Sequence, residues 1–205
     1  MYAFPPLKPI IIAIAGPTCS GKTLIANRLA DELTDAAVIS MDSYYRDLTT
    51  VLPGELEHWN FDQPASIDYK LLIEHVKELS AGRSIMKPVY RFPSHTRATK
   101  RVNINPKKFV ILDGLFALYW KEVLRNCQLK VFVQVSDNIC LKRRLRRDPT
   151  ERGFTPEYIT MQYNETVRPM YRKYVHSTRF QADIIINGEN PVADSVEHII
   201  DNIDK

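Results

Sequence analysis

Gly16, Gly21, Lys22 and Thr23 stand in the spacing G-x-x-x-x-G-K-T within GPTCSGKT. The two glycines allow a tight turn that aims successive backbone N–H groups at an anion. The helix expected to follow adds the partial positive charge of its N-terminus. Lys22 can reach the β- and γ-phosphates of a nucleoside triphosphate, and the Thr23 hydroxyl can ligate Mg²⁺. The candidate phosphate cradle is therefore Gly16, Pro17, Thr18, Cys19, Ser20, Gly21, Lys22, Thr23 and Leu24. A chance match is disfavoured by the flanks. An apolar, β-branched run precedes the loop (Ile10–Ala15), and Leu24, Ile25, Leu29 and Leu33 follow it at helical spacing.

Two aspartates follow short apolar runs of their own, Asp42 in SMDSYYR and Asp113 in ILDGLFALY. A carboxylate beside a triphosphate is repelled unless it holds Mg²⁺ or takes a proton. Asp42 and Asp113 thus join Thr23 as candidate metal-side residues, and Asp42 is also a candidate general base. Either aspartate alone reads equally well as a cap or turn residue; the pair beside a phosphate loop favours chemistry. The run KRRLRR (Lys142–Arg147) places Arg143 and Arg147, and Arg144 and Arg147, on shared helix faces. Guanidiniums there could stabilise a phosphoryl group in transfer. A solvated basic face and an RNA-binding patch are the alternatives. The run is short and has no interleaved aromatic platform, so nucleic acid is not the expected partner.

The elements that must position these groups are legible from periodicity. Strand-like runs occur at Ile10–Ala15, Ala37–Ser40, Phe109–Leu112, Lys130–Val135 and Ala182–Ile186. Helical patterns lie between them. Ser66–Ala81 carries the stripe Ile67, Leu71, Leu72, Val76 and Leu79, with Ser66 as N-cap and Gly82 as stop. Asn138–Arg147, Pro156–Tyr174 and Val192–Ile203 are the others. This alternation predicts an α/β fold with a parallel sheet covered on both faces. Ligands in such sheets bind beyond the carboxyl ends of the strands, which brings the phosphate loop, Asp42 and Asp113 to one edge. Between the second and third strands lie WNFDQPASID and PVYRFPSHTR, more chain than a simple crossover needs. The second piece reads as an extended arm or hairpin turning near Pro93-Ser94. Its aromatics, with Asp62 and His95, could hold a flat ring and a hydroxylated sugar. Periodicity alone favours core packing for Tyr90 and Phe92, and a turn position for His95.

The 205 residues, 44% of them hydrophobic, suit a single domain spanning 1–205 with an interior large enough to fold unaided. A net charge of +4 fits an anionic substrate as well as it fits nucleic acid. Three cysteines, an odd and sparse set, suit a reducing compartment, and Cys19 reads as a small loop residue. The first apolar run is too short for a signal peptide, and no segment has transmembrane length, so a cytoplasmic chain without membrane partners is expected.

The ordered set GPTCSGKT, SMDSYYR, NFDQPASID, PVYRFPSHTR, ILDGLFALY, RRLRRDPTERG and QYNETVRPMY resembles the uridine kinase (uridine-cytidine kinase) family of the phosphoribulokinase and uridine kinase group, over roughly Ile10–Ile203. The resemblance implies a P-loop kinase with a five-stranded parallel sheet flanked by helices, a β-hairpin substrate arm at about 84–104 and a helical lid at about 143–163. It implies transfer of the γ-phosphoryl of ATP or GTP, with Mg²⁺, to the 5′-hydroxyl of uridine or cytidine. Asp42 would be the base, with Tyr45 close by, and Asp62 would bind ribose hydroxyls. Phe61, Tyr90, Phe92 and His95 would surround the base, with Tyr90 and His95 reading its edge. Arg144, Arg147 and Arg152 would come from the lid, and Gln162 would face the nucleoside. Family members are commonly tetramers, so a homo-oligomer, tetramer or dimer, is expected.

Four positions depart from the family pattern. Gln63 replaces a histidine, Arg91 an aspartate, Asp113 a glutamate and Phe154 an arginine near the nucleoside. Asp113 is one methylene shorter than glutamate, so a metal contact there would run through water. The phosphoryl-transfer residues are thus better kept than the nucleoside-reading ones. Within the class, the alternative is a kinase for another hydroxylated acceptor such as nicotinamide riboside. A catalytically silent homologue that binds RNA or protein is another. A GTPase-type switch is disfavoured: there is no N-K-x-D motif, and Phe116 stands where D-x-x-G needs glycine.

Overall fold

The computed structural model describes residues 8–56 and 59–203. Five parallel strands form the central sheet: β1 (Ile10–Ala15), β2 (Ala36–Ser40), β7 (Phe109–Asp113), β8 (Leu129–Gln134) and β9 (Ile184–Asn187). Their spatial order is β2-β7-β1-β8-β9. β1 sits at the centre, and its side chains feed two cores. Ile11, Ala13 and Ala15 belong to one, Ile12 and Ile14 to the other. Burial on both faces is why the strand reads as an unbroken apolar run. Helices α1 (Lys22–Glu32) and α8 (Val192–Ile200) cover one face through Ile25, Leu29, Val196 and Ile199. Helix α3 (Tyr69–Ser80) covers the other through Leu72, Val76 and Leu79. Short helices α2 (Pro53–Leu56) and α4 (Lys121–Leu124) lie in connections.

The expected strands are all present, with ends moved by no more than two residues. Ser66 is not the cap of α3. It lies in a 3₁₀ turn (Pro64–Ser66), where its hydroxyl donates to Phe61 O and Gln63 O. Asp68 caps instead, accepting from Leu71 N, a role worth about 1 kcal/mol. Gly82 stops the chain at φ 75°, as expected. Helix α5 runs from Asp137 to Arg152, past the expected Arg147 and through Pro149.

The helix expected over Pro156–Tyr174 begins as α6 (Pro156–Gln162) and continues through a π turn (Tyr163–Val167), α7 (Arg168–Met170) and a second π turn (Tyr171–Val175). The cause is in the spacing. Ile159, Tyr163, Val167 and Val175 are buried, and Tyr171 packs between them in the same register. Residues spaced strictly by four drift about 40° per step around an α-helix. The wider π turns take up that drift and keep the stripe on one face.

The chain between β2 and β7 contains the hairpin arm. β3 (Ile85–Lys87) pairs antiparallel with β6 (Val102–Ile104), and β4 (Tyr90–Arg91) with β5 (Thr96–Arg97). A 3₁₀ turn (Phe92–Ser94) joins β4 to β5 and ends at His95, whose φ is 54°. Arg97 docks the arm. Its side chain donates to Tyr45 O (2.8 Å), Tyr44 O (2.9 Å) and Asp68 Oδ2 (3.0 Å).

β1, β2 and β7 end level, with Ile14 and Ser40 both in register with Asp113. Gly114 lets β7 and the turn after β2 close on each other, because a Cβ there would fall on Met41 Cβ and 2.9 Å from its sulfur. No helix of the described residues is long and apolar enough to cross a membrane. Gly114→Ala is expected to lower the unfolding free energy by about 1–3 kcal/mol, read from urea denaturation. A change under about 0.5 kcal/mol would mean that these strand ends can part freely.

Candidate active site

The loop after β1 adopts an anion-cradling shape. A Cβ at Gly16 would lie 2.5 Å from Val133 O, so only glycine permits this approach. Gly21, at φ 93°, precedes the first residue of α1. Cys19 also has a left-handed φ of 55°, rare for a residue with a side chain. Such alternation of backbone hand makes a concave nest of N–H groups. Lys22 Nζ folds back to donate to Pro17 O at 3.2 Å.

Beside this loop Thr23 Oγ1 donates to Asp113 Oδ2 at 2.7 Å. Asp113 is only 3% exposed, and its other oxygen is buried with no partner among the described residues. Burial raises its pKa, Lys22 and the Thr23 bond oppose the rise, and the Asp42 charge adds to it. An orphaned carboxylate oxygen next to a threonine hydroxyl suits a hard cation. Among the described residues no three His, Cys, Asp or Glu side chains could hold a metal alone. A cation here would therefore need phosphate and water oxygens as well, which is how Mg²⁺ is usually bound. Asp42 lies in the 3₁₀ turn Met41–Tyr44 that follows β2.

Opposite stands an arginine cluster gathered by one carboxylate. Asp148, fully buried, accepts from Arg144 Nε (3.0 Å) and Arg147 Nε (2.8 Å), with Arg152 Nε at 3.8 Å. Arg144 also donates to Gln162 Oε1 at 2.6 Å. Breaking a buried pair of this kind is typically worth about 3–5 kcal/mol. An exposed pair such as Arg28–Glu32 contributes about 0–1 kcal/mol. The cluster is therefore a fixed part of the framework.

The third wall is aromatic. Tyr45 meets Phe61 (5.6 Å between centroids), Tyr90 (5.4 Å) and Phe92 (6.3 Å), and Phe61 stacks on His95 at 4.7 Å. Burial lowers the His95 pKa, which favours the neutral ring, and His95 Nδ1 is buried without a partner among the described residues. Burial raises the pKa of Asp62, with Arg144 and Arg152 opposing and Asp42 reinforcing.

All of this surrounds one cleft of about 440 Å³. Of the expected site residues, Thr18, Cys19, Lys22, Thr23, Asp42, Tyr45, Phe61, Asp62, Phe92, His95, Asp113, Arg144, Arg147, Arg152 and Gln162 line it. Gly16, Pro17, Ser20 and Gly21 form the loop behind that lining. Leu24, 60% exposed, lies outside the lining. Tyr90 stands behind Tyr45 and Phe92, its hydroxyl buried and without a partner among the described residues.

Residues 11–193 match the phosphoribulokinase / uridine kinase family. This chain belongs to that family. The uridine kinase of Serratia proteamaculans is 37% identical over 196 residues, covering 92% of each chain. That of Shewanella piezotolerans is 39% identical over 195 residues, covering 91% of this chain and 92% of its own. Among solved structures, the phosphoribulokinase of Rhodobacter spheroides superposes with a TM-score of 0.68 at 17% identity, over 90% of this chain and 74% of that one. The D-glycerate 3-kinase of Cryptococcus neoformans does so with a TM-score of 0.59 at 17% identity, over 82% and 79%. At that identity the two structures speak for the fold alone.

The departures from the family pattern fall in different places. Phe154 lines the cleft and packs on Tyr158, 4.9 Å between centroids. Gln63 begins the 3₁₀ turn before α3, and Arg91 is exposed on the arm. Sequence reasoning gave no role to Trp59 and Tyr158, which line the cleft, or to Asp148 and Arg97; Arg143, expected to share with Arg147 a face toward the phosphoryl group, lies outside the lining and donates to main-chain carbonyls. Asp148 lies directly after KRRLRR, and a lone acid abutting a basic helix run was the signal available. Tyr44, the neighbour of Tyr45 in sequence, turns into the core. It is fully buried, and its hydroxyl pairs with His75 Nδ1 at 2.9 Å.

The raised pKa of Asp113 has a consequence for stability. The folded chain holds that proton more tightly than the unfolded chain, so the penalty for burying the charge is absent below the ordinary carboxylate range. It grows as pH rises through the raised pKa. Asp113→Asn is therefore expected to resist urea better than wild type at pH 7, with the advantage shrinking as pH falls. An advantage that is absent, or unchanged across the titration, would show that burial does not govern this group.

Proposed function

We propose that this chain is a kinase that moves the γ-phosphoryl group of ATP or GTP to the 5′-hydroxyl of uridine or cytidine. The observation that carries the reading is that the phosphate loop, Asp42 and the aromatic wall open into the same cleft. A phosphoryl donor and a flat, sugar-bearing acceptor would meet there. The family and its uridine kinase relatives support the same substrate class.

Each residue has a task in that reaction. The loop N–H groups and Lys22 hold the β- and γ-phosphates. Mg²⁺, when bound near Thr23, Asp113 and Asp42, would neutralise charge that builds on the phosphate oxygens. Asp42 takes the proton of the 5′-hydroxyl as its oxygen approaches phosphorus. Arg144, Arg147 and Arg152 face the transferring group, already oriented by Asp148. Asp62 accepts from the ribose hydroxyls. The base lies among Tyr45, Phe61, Phe92 and His95. A neutral His95, its Nδ1 without a partner among the described residues, reads its edge, and Tyr90 backs Tyr45 and Phe92 from behind. Gln162 faces the nucleoside while holding Arg144. Phe154 and Tyr158 replace a charged contact with an aromatic one, which favours a flat acceptor without demanding one base. The functional unit is proposed to be a homo-oligomer, a dimer or tetramer. A cytoplasmic location suits its three free thiols.

An acceptor screen tests the substrate class. With ATP as donor, ADP release is expected to be fastest with uridine or cytidine among nucleosides and other ribosides. Faster turnover of a non-pyrimidine riboside would reassign the acceptor, and no turnover of any would remove the kinase reading. Asp42→Asn keeps the shape of the side chain but removes its basic site. The phosphoryl-transfer step in a single turnover is expected to fall by about 10²–10⁴, with ATP binding retained. A step within about threefold of wild type would take the base role away from Asp42.

A further inference from the structure

Arg143 precedes Arg144 on α5, yet its hydrogen bonds all go to main-chain carbonyls. One terminal nitrogen donates to Cys19 O at 3.2 Å and Ser20 O at 3.3 Å. The other donates to Gly188 O at 2.9 Å. No carboxylate among the described residues forms an ion pair with it, so its positive charge is not cancelled locally. Two of the three acceptors lie in the phosphate loop, and one belongs to Cys19, the loop residue with left-handed φ. In a planar trans peptide the carbonyl and the next N–H point in opposite directions. Holding Cys19 O and Ser20 O on the guanidinium therefore turns the Ser20 and Gly21 N–H groups the other way. Ser20 N–H closes the turn on Pro17 O at 3.2 Å. Gly21 N–H is then set in the nest. The third bond ties in the end of β9, where a Cβ on Gly188 would collide with Ser20 O.

We propose that Arg143 is a positioning residue for the donor-phosphate site: it locks the Cys19–Ser20 backbone in its anion-binding form and fastens it to the helix that carries Arg144, Arg147 and Arg152. Arg143 does not line the cleft, so it acts through the loop and adds only its field. Its planar fork is the reason for arginine here, since a lysine ammonium cannot span three carbonyls on two separate segments in that way.

The proposal rests on the kinase reading for its ligand, so one readout needs a nucleotide and one does not. The first is calorimetric binding of ADP with Mg²⁺ to the full chain. Arg143→Met is expected to raise the Kd roughly tenfold or more, with the acceptor KM close to wild type. Arg143→Lys, which keeps the charge, should lie between the two. The second readout is the rate of Cys19 alkylation by iodoacetamide, followed by peptide mass spectrometry. It should rise severalfold in Arg143→Met as the loop loosens. Failure of wild type to bind ADP would sink the kinase reading, while alkylation would still decide whether Arg143 orders the loop. A folded Arg143→Met chain that binds ADP within about twofold of wild type and alkylates at the wild-type rate overturns the proposal. Should Arg143→Met not fold, Arg143→Lys decides: wild-type behaviour in both readouts would mean that the fork is not needed.

Discussion

Ile14, Ser40 and Asp113 lie level across three neighbouring parallel strands, and the placement of the cleft follows from that register. A parallel sheet sends all its strands out at one edge, so three successive βα connections must share the space there. One becomes the phosphate loop, one the turn with Asp42, and one ends in Asp113 and Gly114. The strands can end level only because Gly114 lacks a side chain against Met41. A slip of one residue in β7 would turn Asp113 to the opposite face and part it from Thr23.

The cleft sets buried charges of both signs against each other. Asp42, Asp62 and Asp113 face Lys22 and the arginines of α5 across a space of about 440 Å³. Burial raises the pKa values of Asp62 and Asp113, and the nearby cations oppose that rise. The arginines have a similar conflict, since three guanidiniums repel one another. Asp148 resolves it from beneath. Its two oxygens bind Arg144 and Arg147, and the outer nitrogen of Arg144 is held in turn by Gln162. This preorganisation matters because the phosphoryl transition state spreads charge over several oxygens and is stabilised by groups already in position.

Much of this was legible in the residues, because the strongest signals are local. The loop motif, the five apolar runs and the stop at Gly82 depend on neighbours in sequence, and the structure shows each of them. Asp42 and Asp113 could be brought together because strand ends are readable and the edge rule is general. What could not be read depends on long-range packing. Asp68 caps in place of Ser66 because the Ser66 hydroxyl is taken by Phe61 O and Gln63 O, while Asp68 N–H is held by Tyr44 O in the turn after β2. Tyr44 and Tyr45 are adjacent, yet one is buried in the core and the other faces the cleft, a division set by α3 through His75. Arg143 and Arg144 are likewise neighbours with opposite targets. Their separation depends on Gly188, far along the chain and invisible beside KRRLRR.

The two π turns between Tyr163 and Val175 bear on how this chain can change in length. They lie in a helical segment held at both ends, by the Tyr163 hydroxyl on Asp137 O at 3.0 Å and by Val175 buried in the core. A π turn holds one residue more than the α turn it replaces, so the helix on either side keeps its phase. Losing one residue from Tyr163–Val167 would close that turn to α geometry and leave both anchors on their present faces. Losing one from the α-helical stretches instead would turn everything beyond it by about 100° and pull an anchor off its face. Tolerance to a change in length is thus confined to the two π turns, and an alignment gap in this segment is expected there.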